Sequence, residues 1–112
     1  TKDFLDASDF EIMKDTAVFI NIGRGDLVKD EVLLAALQEK KIAHAYLDVF
    51  YAEPLKESHP FWMMENVTVT PHISSLTKNY LPRSFEIFKH NLHTYIKKGS
   101  GYLNVIDMDR GY

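Results

Sequence analysis

Three short, largely apolar runs, each followed by turn residues, dominate the first part of the chain, and the first of them is rich in β-branched residues. They cover residues 17–22, 42–50 and 67–70. Runs of this length are typical of strands that are buried on both faces of a parallel sheet. The segment after the first run has helical periodicity, and Asp30 is predicted to cap that helix. The order strand, helix, strand predicts parallel pairing with a right-handed crossover, and therefore an α/β layer.

Two more helices are predicted outside this unit. Ser8 and Glu11 have the spacing of a capping box, which predicts a short helix from Ser8 to about Lys14. Residues 80–98 carry large apolar side chains at alternating spacings of four and three, which predicts a long amphipathic helix packed on a core and ended by Gly99. The apolar stripe of this helix comprises Leu81, Phe85, Phe88, Leu92 and Tyr95.

Composition narrows the classes of function. The 112 residues suit one small domain, and a hydrophobic content of 46% favours a globular core. The net charge of −3 and the lack of long like-charge runs argue against a nucleic-acid or membrane-surface partner. The sequence has no cysteine, which excludes disulfides and thiolate metal sites and suits a cytoplasmic protein.

Ionisable side chains follow all three predicted strands. Arg24 follows the first strand, Asp48 and Glu53 follow the second, and His72 follows the third. Ligands of such sheets bind outside the carboxyl ends of the strands, so these side chains are expected to meet at one edge. An arginine can hold a carboxylate bidentately. A histidine with a carboxylate partner can exchange a proton near neutral pH.

Each of these residues also has a purely structural interpretation. Arg24 in its glycine turn could be a solvated surface residue, and Glu53 could be an ordinary loop carboxylate. Asp48 could bond a neighbouring backbone amide, and His72 could be structural. Their convergence at three strand ends is the strongest physical argument for a functional site in the sequence.

Two other patterns imitate functional sites. The turn Gly23-Arg24-Gly25 begins like a dinucleotide fingerprint, but the third glycine would fall at Val28, so the phosphate-binding glycines are absent from the sequence. His90 and His93 could share a metal ion, but no third ligand lies nearby in the sequence. We predict surface positions for both histidines and no metal site.

Three blocks of the sequence resemble motifs of the D-isomer-specific 2-hydroxyacid dehydrogenases. Residues 20–28, INIGRGDLV, resemble the arginine motif of that family, and residues 47–55, LDVFYAEPL, resemble its Asp-Val-Phe-x-x-Glu-Pro motif. Residues 60–73 resemble the segment that ends in the catalytic histidine, and residues 103–112 resemble the end of many members. The blocks follow the order and spacing of the family, so the resemblance covers nearly the whole chain.

The resemblance implies a role for each candidate residue. Arg24 would hold the substrate carboxylate, and His72 would exchange a proton with the substrate oxygen. Glu53 would hydrogen-bond His72, which fixes the imidazole tautomer and favours the imidazolium. Asp48 would contact the carboxamide of a nicotinamide cofactor. The other implied cofactor contacts are Ile22, Gly23, Arg24, His72, Ser74 and Ser75, the last two standing where many relatives have a glycine.

The resemblance also implies the fold, the domains and the activity. Residues 1–75 would be the C-terminal half of a Rossmann-like parallel sheet with flanking helices, and residues 76–112 a long C-terminal helix and tail that return toward a substrate domain. The implied reaction is hydride transfer between NAD or NADP and a small D-2-hydroxy acid or 2-keto acid, in a homodimeric cytoplasmic enzyme. We expect the chain alone to be inactive because it lacks the phosphate-binding glycines. A non-catalytic, dinucleotide-binding regulatory relative of the same fold is the alternative.

Overall fold

The computed structural model describes residues 2–110, which fall into two compact units, Thr1–Ser74 and Ser75–Tyr112. The first unit contains two helices and three strands, and the second contains one long helix, so the predicted α/β class is confirmed. The elements are α1 (Ala7–Glu11), β1 (Val18–Asn21), α2 (Asp30–Gln38), β2 (His44–Leu47), β3 (Val67–Val69) and α3 (Tyr80–Ile96), with 3-10 turns at Gly25–Leu27 and Pro60–Met63.

The three strands form one parallel sheet in the order β1-β2-β3. Val18 of β1 is paired with His44 of β2, and Ala45 of β2 is paired with Val67 of β3. The predicted parallel pairing is therefore confirmed. Helices α1 and α2 supply the core that covers one face of this sheet. The buried apolar residues are Phe10, Val28, Leu33, Ala36, Leu37, Ile42, Ala45, Leu47, Phe50 and Phe61.

The prediction that the strands are buried on both faces is wrong. Ala45 is 0% exposed, whereas Ile20 is 62% exposed and Tyr46 points to the same open side of the sheet. Successive side chains of a strand alternate between faces, and the core helices α1 and α2 lie on one of them only. Within the described part of the first unit, no element covers the other face. An apolar run thus identified the strands but not the number of covered faces.

The N-cap of the first helix lies two residues earlier than predicted. Asp6, not Ser8, is the N-cap: its carboxylate accepts a hydrogen bond from the Ser8 amide at 2.7 Å. Asp9 completes the capping box by accepting from the Asp6 amide at 2.8 Å. The Ser8 hydroxyl donates to Asp6 instead of capping the helix, and α1 ends at Glu11 rather than near Lys14. Asp6 and Ser8 could each cap a helix that starts here, and Asp6 occupies the N-cap position.

The second and third helices also differ from prediction at their ends. Asp30 is the first residue of α2 rather than its cap, which is Lys29. The residue after the C-cap of each helix is a lysine in the left-handed region, Lys40 with φ 56° and Lys98 with φ 49°. Gly99 was expected to end α3, but it lies one position later. Its amide bonds back to the carbonyl of residue 94 at 3.0 Å, as in a Schellman motif.

The predicted stripe of α3 is apolar but exposed, so its expected packing on a core is wrong. Phe85, at its centre, is 60% exposed. Within the described part of the second unit, the tail bonds along a different side of the helix. Asn91 exchanges two hydrogen bonds with the Leu103 backbone, at 2.8 and 3.0 Å, and His90 contacts the Gly101 carbonyl at 3.0 Å. No helix among residues 2–110 is long and apolar enough to cross a membrane.

Candidate active site

The connections that follow the three strands bring the predicted ionisable residues to one edge of the sheet. Arg24, Glu53 and His72 line a common cavity of about 400 Å³, together with Tyr51 and other residues of the loops after β1 and β2. Strands of a parallel sheet end at the same edge, which explains why residues far apart in sequence meet here. The meeting of these side chains at one edge was predicted from their positions after the three strands.

A buried asparagine fixes the turn that carries Arg24. Asn21, the last residue of β1, donates from Nδ2 to the Arg24 carbonyl at 2.9 Å and accepts the Gly23 amide at 3.2 Å. The Arg24 side chain is exposed, and its Nη1 donates to the Gly23 carbonyl at 2.9 Å. Sequence reasoning missed Asn21. The one available signal was a polar residue inside an otherwise apolar run.

Gly25 lets the arginine turn approach the loop after β2. A Cβ atom at this position would lie 1.8 Å from the Phe50 carbonyl oxygen and 2.0 Å from its carbon. Only a residue without a side chain allows two backbones to come this close. The contact places Arg24 beside the loop that carries Glu53.

His72 and Glu53 form a hydrogen-bonded pair. The Nδ1 atom of His72 lies 2.9 Å from Oε2 of Glu53, and the other carboxylate oxygen accepts the Phe50 amide at 2.9 Å. The hydrogen bond with His72, followed by that from the Phe50 amide, lowers the pKa of Glu53. An ionised Glu53 accepts a hydrogen bond from the protonated Nδ1, which leaves Nε2 as the ring nitrogen that can serve a substrate.

Asp48 is buried beneath the loop that carries His72. It is 2% exposed and accepts hydrogen bonds from the Thr70 hydroxyl, the Ile73 amide at 2.9 Å and the Ser74 amide at 2.8 Å. Burial acts to raise the pKa of Asp48, but the hydrogen bonds from Thr70, Ser74 and Ile73 outweigh it and hold the pKa well below its usual range. The implied contact with a nicotinamide carboxamide stays a prediction. Sequence reasoning did not identify Thr70.

The other residues implied in cofactor binding lie around the same strand ends. Ile22 follows β1 with an exposed apolar side chain, and a Cβ at Gly23 would meet nothing closer than 3.8 Å. An apolar side chain beside open backbone fits the flat face of a nicotinamide ring. Ser74 presents its amide to Asp48, and Ser75 is the first residue of the second unit. The cofactor roles of these residues stay predictions.

A second, more apolar cavity of about 430 Å³ borders the histidine pair. It shares Glu53 and His72 with the first cavity and is otherwise lined by residues such as Leu55, Trp62 and Val69. The indole Nε1 of Trp62 donates to the Lys56 carbonyl at 2.9 Å, which fixes the ring. The pair of His72 and Glu53 therefore lies between an apolar cavity and the cavity that Arg24 lines.

The described residues include no cluster of three or more potential metal ligands.

Comparisons with known proteins identify a family, relatives and solved structures that resemble this chain. Residues 1–74 match the family model described as D-isomer specific 2-hydroxyacid dehydrogenase, NAD binding domain. Glyoxylate/hydroxypyruvate reductase A of Photorhabdus laumondii is 37% identical over 112 residues, which cover 100% of this chain and 35% of the relative. The chain spans about a third of the length of the curated relatives it matches.

Solved structures show the same likeness. A D-isomer specific 2-hydroxyacid dehydrogenase from Xanthobacter autotrophicus, in complex with NADPH, matches with a TM-score of 0.87 and 38% identity over 100% of this chain and 45% of that one. An NADPH-dependent glyoxylate/hydroxypyruvate reductase from Sinorhizobium meliloti, in complex with NADP, matches with a TM-score of 0.86 and 30% identity over 100% of this chain and 36% of that one. The Rossmann-like fold is thereby confirmed, and the chain belongs to the D-isomer specific 2-hydroxyacid dehydrogenase family, in its NAD-binding domain.

Proposed function

We propose that this chain supplies the acid–base and carboxylate-binding groups of an NAD(P)-dependent reductase that interconverts a small 2-keto acid and its D-2-hydroxy acid. The observation that carries the proposal is the cavity in which Arg24 meets the hydrogen-bonded pair of His72 and Glu53. Relatives named glyoxylate/hydroxypyruvate reductases support glyoxylate and hydroxypyruvate as substrates.

Arg24 binds and orients the substrate in this proposal. Its planar guanidinium can form two parallel hydrogen bonds to a carboxylate, which fixes the direction of the neighbouring C2 atom. Such orientation is a large part of the rate enhancement in bimolecular reactions. A lysine would supply the charge without the fixed geometry.

His72 moves the proton. In the direction of reduction its Nε2 gives a proton to the carbonyl oxygen of C2, and in oxidation it takes the proton back from the hydroxyl. When bound, the nicotinamide cofactor supplies the hydride to C2 or accepts it. Glu53 remains ionised because its pKa is lowered, so it holds the ring and stabilises the imidazolium.

The proposed cofactor is NAD or NADP. Solved relatives with NADPH or NADP bound make NADPH the first cofactor to test. The nicotinamide end would lie against Ile22 and Gly23, which follow β1. Asp48, which follows β2, and Ser74 and Ser75, which follow β3 in sequence, are the further cofactor-binding residues of this proposal. The phosphate-binding glycines are not in this sequence, so the proposed activity belongs to the whole protein that carries the domain. A cytoplasmic homodimer is part of the same proposal.

The test compares pH profiles of glyoxylate and hydroxypyruvate reduction by the whole protein, with NADPH and with NADH. Glu53→Gln removes the charge that stabilises the imidazolium, so the alkaline fall in rate should move to lower pH. Glu57→Gln is the matched control, since Glu57 is an exposed carboxylate of the same loop. An unchanged profile in Glu53→Gln would contradict the acid–base pair. Tight NADPH binding without turnover of any 2-keto acid would favour the regulatory alternative.

A further inference from the structure

His72 occupies a backbone conformation that needs external support. Its φ is 52°, in the left-handed region, which is sterically disfavoured for a residue with a side chain. The residue is exposed and lies on a loop rather than in a strand. Its own amide makes one short-range hydrogen bond, to the Thr70 carbonyl at 3.1 Å. The conformation that aims the imidazole at Glu53 must therefore be held by the residues around it.

The carboxylate of Asp48 holds the loop on both sides of His72. Before His72, the Thr70 hydroxyl donates to Oδ1 of Asp48. After His72, the Ile73 amide donates to Oδ1 and the Ser74 amide to Oδ2. Asp48 is itself anchored in the sheet, since its amide donates to the Asn21 carbonyl at 3.0 Å. A buried, charged acceptor makes these hydrogen bonds stronger than neutral ones.

We propose that Asp48 and Thr70 form a clamp that positions His72 for proton transfer. The inference rests on the proposed function, because it concerns the geometry of the same acid–base residue. Thr70 is needed because Asp48 is almost wholly buried and the Thr70 hydroxyl donates to it from the segment that precedes His72. In this view both residues act through His72, and neither contacts the substrate.

The test removes the hydroxyl and keeps the shape. In the whole protein, Thr70→Val should lower kcat for glyoxylate reduction about 10- to 100-fold, with KM for NADPH changed by less than about twofold. Thr70→Ser keeps a donor and should recover kcat to within about threefold of the wild type. Thr68→Val is the matched control two residues earlier, in β3, because Thr68 is exposed and its hydroxyl contacts His44 at 2.9 Å.

Crystal structures of Thr70→Val and Thr68→Val make the test independent of activity. In Thr70→Val we expect His72 to leave the left-handed region, or its Nδ1 atom to separate from Glu53 beyond about 3.5 Å. Retention of both features in Thr70→Val would overturn the clamp, even if the proposed reaction is not observed. Should Thr70→Val fail to fold, Thr70→Cys takes its place, since a thiol is a weaker donor of similar size.

Kinetic results also separate the clamp from a cofactor role. Equal kcat values in Thr70→Val and Thr68→Val would overturn the proposal. A rise in KM for NADPH with unchanged kcat would overturn it too, and would assign the pair of Asp48 and Thr70 to cofactor binding. If the wild-type protein reduces no 2-keto acid while the crystal structures show the expected displacement, the proposed function fails and the clamp stands.

Discussion

Replacing Gly25 with alanine should separate the arginine turn from the loop after β2, whereas the same change at Gly23 should be tolerated. The two glycines flank Arg24, yet their surroundings differ. A Cβ at Gly25 would lie 1.8 Å from the Phe50 carbonyl oxygen, and one at Gly23 would lie 3.8 Å from its nearest neighbour. Neither glycine has a positive φ, so steric space alone distinguishes them.

The magnitude follows from these distances. Non-bonded carbon atoms are comfortable at about 3.5 Å, so the Phe50 backbone would have to retreat by about 1.5 Å. Overpacking costs about 1–3 kcal/mol when side chains can adjust. A backbone carbonyl cannot rotate away, so we expect the upper end, about 3 kcal/mol. Gly23→Ala should be neutral or stabilising by up to about 1 kcal/mol, because alanine restricts the unfolded chain.

The displacement should also reach the acid–base pair. The Phe50 amide donates to Glu53 at 2.9 Å, and Glu53 in turn holds His72. A misplacement of about 1 Å in such a pair costs about 100-fold in rate. We therefore expect kcat/KM of the whole protein to fall about 100-fold in Gly25→Ala, and Gly23→Ala serves as the control for stability alone.

Two measurements check this prediction. Urea unfolding of the chain, followed by the fluorescence of Trp62, its single tryptophan, gives the free energies of unfolding. Steady-state kinetics of the whole protein give kcat/KM. The reasoning is refuted if Gly25→Ala is as stable as Gly23→Ala, since the Phe50 backbone would then yield without cost.

Two further predictions concern helix ends, and both are measured by urea unfolding. Lys40→Gly should raise the free energy of unfolding by about 0.5–1 kcal/mol, because glycine adopts the φ of 56° without strain; Lys14→Gly, at an exposed loop position, should not. A destabilised Lys40→Gly would contradict that account. Asp6→Ala should lower the free energy of unfolding by about 1 kcal/mol through loss of the cap, and Ser8→Ala by less than half as much. The reverse order would restore Ser8 as the capping residue.

Much of the site's position could be predicted from sequence because parallel strands impose it. Apolar runs identify the strands, and short connections with an intervening helix require parallel pairing. Residues that follow such strands must then gather at one edge. By that logic the sequence predicts that Arg24, Glu53 and His72 lie together, and their shared cavity agrees with it.

The supporting residues could not be predicted in the same way. The hydrogen bond from Thr70 to Asp48 joins positions 22 residues apart in sequence, and the one from the Ser74 amide joins positions 26 apart. Hydrophobic periodicity carries no information about which polar groups meet across such distances. The close approach of Gly25 to Phe50 could not be predicted from the sequence either, because a glycine beside an arginine is typical of an ordinary turn.

Burial was predicted least well, for a related reason. Periodicity shows that the α3 stripe is apolar and that the strands are apolar on both sides, but it does not show what covers them. Ile20 and Phe85 are both exposed within their own units. The apolar pattern of an element describes its own surface, whereas burial also requires a second surface that packs against it.

The loops of the site are held in place mainly by residues that take no part in the proposed chemistry. Each loop that presents a functional side chain is tied down by another residue: Asn21 binds the Arg24 carbonyl, Gly25 admits the Phe50 backbone, and Asp48 binds the amide of Ser74. Loops are otherwise the most mobile parts of a fold, and proton transfer tolerates little displacement. Catalytic side chains on loops therefore depend on buried polar groups and close backbone contacts. It follows that substitutions at the supporting residues should reduce the rate while every catalytic side chain remains in the sequence.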